Sequence, residues 1–82
     1  MNAATREIIG AKAKITSSTN KSTEGIQGII IDETKNMISI RTISGDKKII
    51  KKASVFEIDG ERISGDELVG RPEERIKRWI RK

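Results

Sequence analysis

Apolar and polar positions alternate in short bursts along this chain, and the segment Gly25 to Thr42 organises the rest. It reads G-I-Q-G-I-I-I-D-E-T-K-N-M-I-S-I-R-T, two isoleucine-rich arms around the polar turn Asp32-Glu33-Thr34-Lys35-Asn36. Ile38 and Ile40 alternate with Ser39 and Arg41, the period of a half-buried strand. Ile29, Ile30 and Ile31 in a row give the first arm two apolar faces, which suits a strand bent across a small barrel. Gly25 and Gly28 sit where such a strand bends or bulges.

Other segments follow the same rhythm. Ala11, Ala13 and Ile15 alternate with Lys12, Lys14 and Thr16, predicting a strand with a small-residue inner face. Before it, Thr5 to Gly10 reads as a helical turn closed by Gly10, with Ile8 and Ile9 in need of cover. After it, Ser17 to Thr23 is a polar loop whose hydroxyl and amide groups either cap turns or bond phosphates beside Lys21. Ser44-Gly45-Asp46-Lys47 marks a tight turn. A strand follows with Ile49 and Ile50 among lysines, then Ala53 to Ile58 with Phe56 and Ile58 on one face. Asp59-Gly60 predicts a type I′ turn into Glu61-Arg62-Ile63. Leu68 and Val69 form a short apolar plug. The end predicts a helix: Pro72 in its first turn, glutamates near its start, cations near its finish, and an apolar stripe of Ile76, Trp79 and Ile80. That stripe packs on the barrel or on another protein.

The pattern predicts a mostly β fold: a small six-stranded antiparallel barrel with short N-terminal and C-terminal helical segments. Eighty-two residues make a single domain (1–82) with a thin core, divided into an arm (1–9), the barrel (10–70) and a C-terminal helix (71–82). No run approaches a membrane span and no signal peptide is evident, so a cytoplasmic location is expected.

Charge sharpens this picture. The net charge is +5, and residues 71–82 alone hold six Lys/Arg against two Glu. Lys47, Lys48, Lys51 and Lys52 form a second basic cluster, while Glu57, Asp59, Glu61, Asp66 and Glu67 form an acidic stretch. Such sorting points to a polyanion on one side and a protein on another. The chain has no histidine and no cysteine. That removes imidazole bases, Ser-His and Cys-His nucleophiles, thiolate metal sites and disulfides. Asp32 and Glu33 are adjacent in a loop, where Mg²⁺ is conceivable, but they read as a solvated turn. One Phe, one Trp and no Tyr leave no platform for stacking splayed bases. Lys and Arg on a stiff scaffold, reading phosphates and the shape of folded RNA, remain.

The ordered set G-I-x-G (Gly25 to Gly28), D-E-T-x-N (Asp32 to Asn36) and R-P-E-E-R-I-K (Arg71 to Lys77), with Ile9-Gly10, Ser18, Asn20, Lys21, Lys51 and Phe56, resembles archaeal ribonuclease P protein component 1, an Sm-like barrel. The resemblance spans about Arg6 to Lys77. It implies an RNA-binding subunit of ribonuclease P that supports a catalytic RNA in removing the 5′ leader of precursor tRNA. The Mg²⁺ then sits on the RNA, and no cofactor or metal is expected in this chain. It further implies a partner subunit, protein component 4, among other protein subunits, contacted by the terminal segments. Catalytic residues: none. RNA contact is expected from Lys12, Lys14, Asn20, Lys21, Lys51, Lys52, Arg71, Arg75, Lys77 and Arg78, with Lys51 and Arg71 to Arg75 either touching RNA or holding its geometry. Ile8, Ile9, Ile76, Trp79 and Ile80 are expected at the protein interface. Two departures stand out: Ile50 occupies a position where many relatives carry proline, and the N-terminal arm is short. The other readings are a general nucleic-acid-binding or ribosomal barrel, and a protein-interaction barrel anchored by Trp79.

Overall fold

The computed structural model of the chain describes residues 7–71 together with Glu74. Six strands form one antiparallel sheet: β1 (Lys12–Ser18), β2 (Gln27–Glu33), β3 (Met37–Thr42), β4 (Gly45–Ile50), β5 (Ser54–Ile58) and β6 (Glu61–Ser64). Their spatial order is β4-β3-β2-β1-β5-β6. Ile49 of β4 and Ile63 of β6 lie at opposite ends of that order yet share one core with Ile15, Ile30, Ile38, Ile40, Phe56 and Ile58. The sheet therefore curls around its own apolar face. Among the described residues no ladder joins β4 to β6. The two ends meet by packing instead: a Cβ on Gly65 would run into the carbonyl of Lys51, so only glycine fits there.

The strand periodicity translates directly into burial. Ala11, Ala13 and Ile15 point inward, and Lys12, Lys14 and Thr16 point outward. Asp59 and Gly60 both have positive φ, 50° and 85°, the geometry of a type I′ turn between β5 and β6. Gly28 serves close approach: a Cβ would collide with the Arg41 carbonyl on β3.

Two expectations change at the turns, and a third lies beyond the described residues. Residues 8–11 close as a single hydrogen-bonded turn, not a helical one, with Gly10 at φ 95°. The Gly10 N–H donates across to Ile30 O at 2.7 Å rather than back along the chain. The second hairpin turns one step early, on Ile43-Ser44, because Thr42 Oγ1 takes the Ser44 N–H and donates to Gly45 O. The predicted C-terminal helix lies almost wholly outside the described residues, with Glu74 in helical conformation.

The largest correction concerns Asp32 and Glu33, which belong to β2 and not to a solvated turn. The β2–β3 register shifts between Ile30 and Asp32, leaving Ile31 as an extra residue. Such a bulge inverts the alternation beyond it. Ile30 and Glu33 both face inward as a result, and Glu33 sits opposite the core residue Ile38. Its carboxylate meets Lys51, whose Nζ donates to Glu33 Oε2 at 2.7 Å, to Gly70 O at 3.0 Å and to Lys35 O at 3.3 Å. Both side chains are fully buried. An ammonium has three protons, and here each has an acceptor. Gly70 N–H in turn donates to Lys35 O at 2.8 Å. The end of β4, the β2–β3 turn and the start of the C-terminal segment are thereby joined at one point.

Replacing Lys51 with Met leaves the Glu33 carboxylate buried without its ammonium partner. We expect a loss of about 3–5 kcal/mol in urea unfolding, most of it recovered by the paired change Lys51→Met/Glu33→Leu. An unchanged single variant would contradict the burial of the pair. Gly65→Ala is expected to cost about 1–3 kcal/mol in the same assay, through its clash with the Lys51 carbonyl.

Candidate nucleic-acid interface

The exposed cations fall into two groups that differ in what surrounds them. Lys12 and Lys14 stand on the outer face of β1, beside β5. Lys14 lies directly opposite Glu57, which is itself opposite Arg62 on β6. Asp59 Oδ1 accepts the Lys12 backbone N–H at 3.2 Å. The same two lysines share a cleft of about 450 Å³ with Glu57 and Asp59. Positive and negative side chains alternate across this face, so its field largely cancels.

A second cleft, of about 430 Å³, lies where the loop after β1 meets β3, β4 and the start of β5. Its lining includes the polar Lys48, Lys52 and Asn20 and the apolar Met37, Ile50 and Ala53. Among the described residues no carboxylate lines it. Among the described residues, neither Lys48 nor Lys52 has an ion-pair partner. Asp46, the nearest acidic residue in sequence, is held by Arg41 at 3.1 Å, an interaction that raises the guanidinium pKa. The basic cluster of β4 thus splits by strand alternation and by the turn that follows. Ile49 and Lys51 go inward; Lys48, Ile50 and Lys52 go outward.

The loop bordering this cleft is stiff. Lys21–Thr23 form one 3-10 turn capped by Asn20, whose Oδ1 accepts from the Ser22 N–H at 3.2 Å and Ser22 Oγ at 2.7 Å. Ser18 Oγ accepts the Asn20 N–H, and Thr23 Oγ1 donates to Asn20 O. Most of the loop's polar groups therefore cap turns. The Asn20 side-chain NH₂ is left over, with no protein acceptor among the described residues. Thr19 N–H donates to Ala53 O at 3.2 Å, tying the loop to the β4–β5 turn. Ala53 holds φ at 66°, a left-handed conformation that costs a non-glycine residue about 1 kcal/mol or more.

The sequence-predicted site residues are distributed accordingly. Asn20 and Lys52 come together at the second cleft. Lys12 and Lys14 lie on the charge-balanced face. Lys21 pairs with Glu24 at 3.4 Å, and Arg71 is exposed with Glu74 at 3.9 Å. Lys51 is corrected from a phosphate contact to an internal tie, because its ammonium is sealed from solvent. Ile8 is corrected from a partner contact to a core residue, fully buried, while its neighbour Ile9 is exposed. Arg75, Lys77, Arg78, Ile76, Trp79 and Ile80 lie outside the described residues. Lys48, Met37 and Ile50 are not among the residues expected to contact RNA, and Glu33 reads in the sequence as part of a solvated turn. Lys48 was legible as part of its cluster, but Glu33 needs the bulge to be known. Among the described residues no cluster of three Asp or Glu is placed to hold a metal ion.

Comparison with known proteins supplies the context for this surface. The family model for ribonuclease P/MRP subunit p29 matches residues 1–78. Curated relatives include "Ribonuclease P protein component 1" of Pyrococcus furiosus, 43% identical over 93% of this chain and 64% of the relative, and that of Pyrococcus horikoshii, 42% identical over 89% and 61%. The chain spans less than two thirds of the length of these relatives. The counterpart in Methanococcus aeolicus is 40% identical, with 92% of this chain and 84% of that protein covered. Among solved structures, that of Mth11, a homologue of the human RNase P protein Rpp29, superposes with a TM-score of 0.61 at 38% identity, covering 87% of this chain and 99% of the other. A curled six-stranded sheet, a motif-bearing hairpin and a match running almost end to end agree, and the chain belongs to the ribonuclease P/MRP subunit p29 family.

Proposed function

We propose that this chain is an RNA-binding subunit of an archaeal, cytoplasmic ribonuclease P, supporting a catalytic RNA in 5′-leader removal from precursor tRNA. The observation that carries the reading is the uncompensated cationic cleft on a stiff scaffold of this family. Positive side chains held in place by hydrogen-bonded turns lose little freedom when they meet phosphates. The curled sheet corresponds to an Sm-like barrel in this reading. RNA contact comes from Asn20, Lys48, Lys52 and Arg71, joined by Arg75, Lys77 and Arg78 from the basic C-terminal segment.

The bond cleavage belongs to the RNA and its Mg²⁺, and the complex acts as a hydrolase without a catalytic residue from this chain. The composition supports that division of labour: there is no histidine or cysteine, and Glu33, the carboxylate buried in an ion pair among the described residues, is committed to Lys51. Ile9, exposed beside the core residue Ile8, extends into a docking surface for a second protein subunit such as protein component 4, together with Ile76, Trp79 and Ile80.

Reconstitution tests the reading. The ribonuclease P RNA is assembled with its other protein subunits, with and without this chain, and precursor-tRNA cleavage is followed across Mg²⁺ concentration. The chain is expected to lower the Mg²⁺ needed for half-maximal cleavage. No change in rate or Mg²⁺ requirement, together with equal affinity for duplex DNA and the ribonuclease P RNA at fixed salt, would favour a general nucleic-acid-coating module.

A further inference from the structure

The cleft between the Asn20 loop and β4 has more structure than a phosphate-neutralising patch requires. A patch needs only exposed lysines. This site adds the apolar lining residues Met37, Ile50 and Ala53 beside two ammonium groups without an ion-pair partner and a spare amide NH₂. Its volume of about 430 Å³ lies within the range of about 300–1,000 Å³ typical of small-molecule sites. Ile50 is 60% exposed, an apolar side chain displayed to solvent between two outward lysines. Ala53, in its left-handed conformation, turns the chain so that the residue lines the cleft while its carbonyl holds Thr19. Ser54 Oγ, donating to Ile50 O at 3.1 Å, fixes the same turn from below.

From this combination we infer that the cleft receives one unpaired nucleotide of an RNA strand, an assignment that rests on the RNA-binding reading and specifies where it is realised. The base lies against the Met37 and Ile50 side chains. The flanking phosphates lie between the Lys48 and Lys52 ammonium groups, and the Asn20 NH₂ donates to a base or phosphate oxygen. A thioether and a branched alkyl group offer the π-face a contact without a stacking aromatic. A nucleotide inside a duplex cannot present its face this way, so the site selects bulged, looped or terminal positions. The other cleft offers a contrast on the same protein: its similar volume carries Glu57 and Asp59, which repel phosphate.

The test uses the full chain with selectively labelled methyl groups, probed by NMR with single-stranded hexauridylate and, separately, with a duplex RNA of equal length. The Met37 ε-, Ile50 δ- and Ala53 β-methyl signals are expected to shift saturably with the single strand and to stay in place with the duplex. Methyl signals that stay still with the single strand, or move equally with the duplex, overturn the assignment. In parallel, Lys48→Ala/Lys52→Ala is expected to weaken binding to the ribonuclease P RNA by about tenfold or more. It should also flatten the salt dependence by about 1.4 in the log-log slope, as expected for two lost single-strand phosphate contacts. Lys12→Ala/Lys14→Ala should cost less than about threefold, since those charges are balanced. Equal losses from the two pairs count against a dedicated site. If the unaltered chain binds the ribonuclease P RNA no better than duplex DNA while hexauridylate still shifts the methyl signals, the nucleotide site stands and the ribonuclease P reading falls. If the ribonuclease P RNA binds well and the methyl signals stay still, the site falls alone.

Discussion

One ammonium group, that of Lys51, gathers three separate stretches of chain. It bonds the Glu33 carboxylate at the end of β2, the Lys35 carbonyl in the following turn and the Gly70 carbonyl beyond β6. The stability of the fold does not come from it. Each buried isoleucine contributes about 1.5–3 kcal/mol relative to exposure, and the core holds seven that are at most 1% exposed or fully buried besides Phe56 and Leu68. A buried ion pair, by contrast, roughly breaks even once desolvation is counted. What it supplies is uniqueness. An apolar core of interchangeable isoleucines tolerates many near-equivalent packings, while a charge with three fixed acceptors tolerates one.

That geometry has an effect on the surface. Directing Lys51 inward separates it from Lys48 and Lys52, which flank it in a sequence cluster of four. The outward pair faces a loop made of hydroxyl and amide groups, away from the acidic residues on β5 and β6. Across β1 the opposite arrangement holds, with lysines and carboxylates in cross-strand register. A net charge of +5 is therefore not spread as a uniform coat. The sheet concentrates free positive charge at one end of the strands and cancels it on the outer face, which favours a directed approach of a polyanion.

Much of this was legible in the sequence. The alternation in Ala11 to Thr16, the central hairpin and the Asp59-Gly60 turn all follow from local chemistry, because each depends on residues adjacent in the chain. The errors arose where a distant partner decides. Strict period-two reading cannot place Glu33 inside, since one extra residue at Ile31 changes the phase and only pairing with β3 reveals it. Lys51 looked like its neighbours because nothing local distinguishes a lysine with buried acceptors from one in water. Gly10 has the local signature of a helix terminator, but its N–H is claimed by Ile30 across the sheet. The candidate cleft is half visible in the sequence: Asn20 and Lys52 stand out there, yet Met37 and Ile50 join them only once the sheet curls.

The joint at Gly70 also has a mechanical side. Gly70 both donates to Lys35 and accepts from Lys51, so the chain is clamped at the residue before Arg71. Tension arriving along the C-terminal segment is therefore borne by the β2–β3 turn and the end of β4 together, and not by β6 peeling away strand by strand. Any load on that segment enters the protein at a joint where three stretches of chain are hydrogen-bonded together.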